Sequence, residues 1–192
     1  MPSVAALLAA GGASRYTGAT HKLLAPLGGS TVWATALEAV VAAGFDHVVV
    51  VTGAVPLTLP DGCHPTVIFR HNPRWADGQA GSLQVAVAAA SDLGADRVTV
   101  GLADQPGVGT ASWRDVAGAP DDCRIAVAVY GGRVGPTPVR LHRSVWPLLP
   151  VEGDAGARHV IADHPSWVCR VPCVGSGADI DTVEDLDRWN DC

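Results

Sequence analysis

Four consecutive valines fill the stretch His47–Thr52, a run that is β-branched and apolar without an alternating polar face. β-Branched side chains favour extended backbone, and a strand that does not alternate is buried on both of its faces. Apolar runs of similar length at residues 4–10, Arg97–Leu102 and 124–130 are separated by stretches of helical character. That order predicts an α/β fold of three layers, Rossmann-like, with a mostly parallel central sheet between helices.

The punctuation fits this reading. Ser30 or Thr31 caps a helix that runs to residue 43 and that Gly44 terminates. Further helices are expected at residues 83–90, 110–116, 144–149, 155–163 and 183–189, with strands at 66–70, 139–142 and 167–171. A Pro/Gly-rich connection spans residues 56–65, and residues 131–138 read as a turn. With 192 residues and no interior linker, residues 1–192 are expected to form one domain able to bury its own core.

Composition excludes several function classes. The net charge of −6 and the lack of a basic stripe argue against a duplex nucleic-acid binder. No apolar run reaches the roughly 18 residues of a membrane span, and the N-terminus lacks a basic signal region, so a cytoplasmic location is expected. The cysteines at 63, 123, 169, 173 and 192 are odd in number and contain no CxxC pair, which disfavours a metal cluster or a secreted disulfide framework. Cys169 and Cys173 are expected to be buried or incidental. None of the seven histidines shows a ligand spacing such as H-x-x-x-H near a carboxylate partner.

In an open α/β sheet, ligands bind outside the carboxyl ends of the strands, which directs attention to three segments. The first is the glycine-rich loop at residues 11–22, which carries Arg15 and ends on Lys22, the only lysine of the chain. Glycines bring several backbone N–H donors close to one anion, and the two cations add full charge, so this loop is suited to phosphate. It is not a Walker A loop, because His21 precedes Lys22 and Leu23 follows it, and Gly11, Gly12 and Gly18 do not spell a dinucleotide fingerprint. An NAD-dependent oxidoreductase would also need a ribose-binding acid after the second strand, where Thr52-Gly53 stands.

The second segment is Ala103-Asp104-Gln105-Pro106, and the third is Asp179-Ile-Asp-Thr-Val-Glu-Asp-Leu186. Asp104 taken alone reads better as a helix-capping or turn aspartate, and Asp181 or Thr182 as a helix cap. Together, Asp104 with Asp179 or Asp181 would supply hard oxygen ligands to magnesium, with phosphate oxygens completing its shell.

These residues carry a resemblance. Residues Leu8-Ala-Ala-Gly-Gly-Ala-Ser-Arg15 through Lys22-Leu-Leu resemble the LAAGxxxRxGxxKLL signature of MobA-like nucleotidyltransferases, in particular the molybdenum cofactor cytidylyltransferases. Asp104-Gln105-Pro106 is similar to that branch's ADQP motif, Gly153-Asp-Ala-Gly-Ala-Arg158 to its GDxGAR motif, and the 179–186 segment to its closing DIDTxEDL. Two departures stand out. Six residues separate Arg15 from Lys22 where the signature has four, and Gly135-Pro-Thr-Pro138 replaces a G-H-P-like acceptor segment without its histidine.

The resemblance implies transfer of a nucleotidyl group, CMP from CTP, to a phosphate-bearing acceptor such as molybdopterin, with release of pyrophosphate and dependence on Mg2+. It implies that Ala9, Ala10, Gly11, Gly12 and Ala13 cradle the nucleotide's phosphates and that Arg15 reaches the β- and γ-phosphates. Lys22 would act at the α-phosphate, with Asp104, Asp179 and Asp181 as metal candidates and Lys22, Arg15 and Asp104 as the catalytic set. Asn72 and Ser82 are candidates for base or ribose contacts. Gly153, Asp154 and Arg158 are candidates for the acceptor wall, although Arg158 also reads as a solvated helix residue. The product could pass to a molybdoenzyme or its chaperone. Other readings of the same residues are transfer from GTP, a sugar- or alcohol-phosphate acceptor, and a non-catalytic nucleotide-binding module.

Overall fold

The computed structural model describes residues 1–12, 14–60 and 66–191. In chain order these form β1 (Val4–Ala9), the short pair β2 (Pro26–Leu27) and β3 (Ser30–Thr31), α1 (Val32–Val41), β4 (His47–Thr52), β5 (Val67–His71) and α2 (Gln79–Asp92). They continue as β6 (Arg97–Leu102), α3 (Thr110–Ala117), β7 (Ile125–Tyr130), β8 (Arg133–His142), α4 (Arg158–Asp163), β9 (Val168–Cys173) and α5 (Val183–Asn190).

Seven strands form one sheet in the order β5-β4-β1-β6-β8-β7-β9, and only β8 runs antiparallel to its neighbours. The valine run of β4 lies between β1 and β5, with Val48, Val49, Val50 and Val51 all buried, as its unbroken apolarity predicts. One face of the sheet packs against α1, α3 and α5 through Val32, Leu37, Trp113 and Leu186, and the other against α2 and α4 through Leu83, Ala86 and Val160. Gly101 in β6 lies beneath the Trp113 indole, where a Cβ would overlap the ring. Helix-to-sheet packing is therefore close at the strand that leads to Asp104.

The chain leaves β1 toward β4 on one side and later enters β6 on the other, so the sheet order switches between β1 and β6. The crevice above that switch is where ligands of open α/β sheets settle. Ala103 N donates to Leu8 O at 3.0 Å, which ties the two strand ends together directly below the crevice.

Several boundaries differ from the sequence reading. The helix expected at residues 83–90 begins at Gln79, because its N-terminal N–H groups are met by a distant segment. Gln79 N donates to Asp154 Oδ1 at 3.3 Å and Ala80 N to Gly153 O at 2.9 Å. The turn expected over residues 131–138 shrinks to Gly131-Gly132, with φ of 55° and 82°, and β8 starts at Arg133. Its Gly/Pro content resembles a turn locally, but Arg133 and Val134 pair with Tyr130 and Val129 of β7 and carry the strand back to the turn. Residues 144–149 form only a 3-10 turn at Trp146–Leu148, and α4 starts three residues late, at Arg158. The expectation that Cys169 is buried or incidental is corrected: it is half-buried and forms a disulfide with Cys123, joining the entry to β7 with β9. Cys63, Cys192 and the later part of the 56–65 connection lie outside the described residues.

Candidate active site at the carboxyl edge of the sheet

Lys22 reaches the crevice because a short 3-10 turn, Lys22–Leu24, closes the glycine-rich loop. His21 caps that turn, its Nδ1 accepting from Leu23 N at 3.3 Å. Burial and the charge of Lys22 hold the His21 imidazole below the ordinary histidine range, so it serves there as a neutral acceptor. Lys22 itself is only 7% exposed, an unusual position for an ammonium unless it is paired.

The pairing draws on all three strand-end segments. Lys22 Nζ lies 2.6 Å from Asp104 Oδ2 and 2.9 Å from Asp181 Oδ1, and Arg15 Nη2 lies 2.7 Å from Asp181 Oδ2. Burial alone would lower the Lys22 pKa, but the two carboxylates outweigh it and hold the ammonium above the ordinary lysine range. Ile180 N donates to Asp104 O at 2.8 Å, which fixes the 179–181 segment against the end of β6. On the far side, Asp185 accepts from Asp181 N at 3.1 Å and Thr182 N at 2.9 Å, and Thr182 Oγ1 accepts from Asp185 N, a capping box that anchors α5.

Asp179 stands beside these ions and accepts from the Gln105 amide. Burial pushes its carboxyl up, Gln105 pulls it down, and the neighbouring charges of Asp104 and Asp181 add to the rise. Asp104 Oδ1 is buried without a hydrogen-bond partner among the described residues. An unmet carboxylate oxygen beside two further carboxylates is a donor set that suits a hard divalent cation such as Mg2+. No three His, Cys, Asp or Glu side chains among the described residues could hold a metal by themselves, so oxygens from a ligand would have to complete the shell.

A cavity of about 500 Å³ opens over this cluster, lined by Ala10, Gly11, Gly12, Arg15, Lys22, Ser82, Asp104, Asp154, Arg158, Asp179 and Asp181. Most of the residues singled out in the sequence thus meet on one surface. Ala9 is buried below it, and Gly153 contributes backbone to the start of α2. Ala13 lies outside the described residues. Asn72 does not line the cavity: its Nδ2 donates to Ser82 Oγ at 3.0 Å and its Oδ1 accepts from Arg74 N at 3.0 Å, so it fixes the loop from behind. Arg15 keeps a side-chain exposure of 75% while paired with Asp181.

Trp75, Gly78 and Gln79, in the polar stretch between Asn72 and Ser82, also line the cavity and are not among the residues predicted from the sequence. Trp75 packs its ring against Gly12, where a Cβ would come within 3.1 Å of the indole. An aromatic residue inside a polar loop between strand and helix was the available signal.

The fold and this arrangement of glycine loop, cations and carboxylates define an α/β nucleotidyltransferase. The chain belongs to the MobA-like NTP transferase family, whose domain matches residues 5–167. It is 29% identical over 199 residues to the purine catabolism protein PucB of Bacillus subtilis (strain 168), covering 97% of this chain and 95% of that one. Rv0371c from Mycobacterium tuberculosis H37Rv superposes with a TM-score of 0.79 at 27% identity, covering 100% of both chains. A manganese complex of Rv0371c superposes with a TM-score of 0.76 at 26% identity, covering 100% of this chain and 99% of that one.

Proposed function

We propose that this nucleotidyltransferase moves CMP from CTP to a terminal phosphate of molybdopterin, with Mg2+, in the cytoplasm, and hands the product to a molybdoenzyme or its chaperone. The observation that carries the reading is the buried Lys22 held between Asp104 and Asp181 beneath a glycine-rich loop. A non-catalytic nucleotide binder would need the loop and its cations, but not three carboxylates converging on them.

An acceptor phosphate oxygen attacks the α-phosphorus, the bond from that phosphorus to the bridging oxygen breaks, and pyrophosphate leaves with the electron pair. Charge gathers on the α-phosphate oxygens and the leaving group, so positioning and electrostatic stabilisation supply the rate. Lys22 turns from its carboxylates to the α-phosphate, and Arg15 swings to the β- and γ-phosphates. The N–H groups of Gly11 and Gly12 cradle the chain of phosphates, and Arg158 takes the acceptor's anionic group. Asp104 with Asp179 or Asp181 would hold the divalent ion, which would screen the triphosphate's charge while phosphate oxygens complete its shell. The manganese complex of Rv0371c supports a divalent metal in this family.

Pyrophosphate release measured with each of the four NTPs and Mg2+, with and without molybdopterin, tests the assignment. CTP-dependent release that requires molybdopterin is expected. Turnover of GTP alone, or of a sugar phosphate in place of molybdopterin, would replace the nucleotide or acceptor, and release with no NTP under any condition would leave only a binding module.

A further inference from the structure

Gln105, directly after Asp104, is 0% exposed, yet both ends of its amide are bonded to parts of the site. Its NH2 donates to Gly177 O at 3.0 Å and to the Asp179 carboxylate, and its carbonyl accepts from the Thr137 hydroxyl. The orientation is forced by chemistry: a backbone carbonyl and a carboxylate only accept, so the NH2 must face Gly177 and Asp179. The carbonyl then faces Thr137, whose hydroxyl must donate.

Its two side-chain partners share one space and differ in another. Asp179 lines the main cavity and also a smaller inner lobe of about 80 Å³, walled by Leu83, Val139 and Leu141, while Thr137 lines the inner lobe alone. One amide therefore bridges the charged cluster and the apolar pocket beside it. A leucine would fill the same volume in a dry core, so burial does not by itself account for a glutamine here.

We infer that Gln105 is a positioning residue that aims the Asp179 carboxylate at the metal–phosphate site and couples that aim to Thr137 in the wall of the inner lobe. The inference rests on the nucleotidyltransferase reading. Without the amide, Asp179 loses the bond that fixes its rotamer, and Thr137 loses its acceptor. Occupancy of the inner lobe and metal affinity are then linked, and by reciprocity each changes the other.

Mn2+ binding to the full chain tests this, read by loss of the free-ion electron paramagnetic resonance signal in the presence of each of the four NTPs in turn, alongside thermal unfolding. Gln105→Met is expected to weaken Mn2+ by about 10- to 100-fold, the usual cost of losing a group that orients a metal ligand. In an Asp179→Asn background the same substitution should add almost nothing, because the residue acts through Asp179. Thr137→Val, which breaks only the carbonyl end, should weaken Mn2+ about fivefold, the equivalent of one hydrogen bond. Folded Gln105→Met with wild-type Mn2+ affinity, or an undiminished effect in the Asp179→Asn background, would overturn the inference. If Gln105→Met does not fold, an unchanged affinity in Thr137→Val does so instead. A wild-type chain that binds no Mn2+ with any NTP brings down the nucleotidyltransferase reading itself.

Discussion

Two cations are buried at opposite edges of the same sheet, and their partners differ in kind. At the amino edge Arg140 is 2% exposed and donates to the backbone carbonyls of Ala117, Ala119, Pro120 and Cys123. At the carboxyl edge Lys22 is paired with two side-chain carboxylates that face a cavity. Backbone carbonyls at the end of α3 are fixed by the fold, and the disulfide from Cys123 fixes that loop further. Carboxylates on a cavity wall can exchange their cation for a metal, and the freed cation can then turn to a phosphate. Burial of charge alone therefore does not mark a functional site; the replaceability of its partners does.

The sharpest test of the contrast is a matched pair of substitutions. Lys22→Met is expected to cost about a thousandfold in kcat, since an ammonium about 4 Å from developing charge is worth about 4 kcal/mol at an effective dielectric near 20. Its unfolding midpoint should move little, because Asp104 and Asp181 border the cavity, where water can reach them. Arg140→Met should do the reverse, losing about 3 kcal/mol or more as several buried carbonyls go unmet, while the folded enzyme keeps its kcat. That loss corresponds to a fall of about 6–12 °C in a chain of this length. Equal effects on rate and stability in both variants would erase the distinction.

A weaker effect lies in the pH profile. Burial raises the Asp179 pKa, so this carboxyl takes up a proton at a higher pH than an ordinary aspartate. Activity and Mn2+ affinity should fall as pH drops, starting above the ordinary aspartate range, and Asp179→Asn should remove that limb from the Mn2+ titration. The smallest effect is expected at Asp185, whose carboxyl is held below the ordinary range chiefly by the Asp181 N–H. A depressed folded-state pKa contributes stability above the unfolded value that is lost as pH falls through the folded one. Asp185→Asn should cost about 1 kcal/mol near neutral pH, and less in acid, as read by denaturant unfolding at each pH.

The buried state of Lys22 also changes how it can be probed. Held above the ordinary lysine range and shielded from solvent, its amine is a poor nucleophile toward acylating reagents, so substitution is the more direct test.

Legibility in the sequence followed the range of the interactions. His47–Thr52 and Arg97–Leu102 form strands over the predicted residues, because unbroken β-branched or apolar runs have few alternatives in a two-sided sheet. The Thr31 cap of α1 and the Thr182 cap of α5 are equally local, each side chain accepting from a backbone N–H three residues on. The start of α2 was not legible, since its capping groups come from Gly153 and Asp154. The placement of Asn72 behind the cavity was hidden for the same reason: its residue type suits a ligand contact, but its partners are Ser82 and Arg74.

By itself the sequence determined the layered α/β architecture, the glycine-rich loop at the end of β1 and the carboxylates just past β6 and before α5, because these depend on patterns spanning a few residues. Only the tertiary structure decided that Lys22 lies between Asp104 and Asp181, 82 and 159 residues away, and that Gln105 joins Asp179 to Thr137. Pairing among charged and polar side chains is set by which strand ends the sheet order brings together. A linear spacing carries no record of that order.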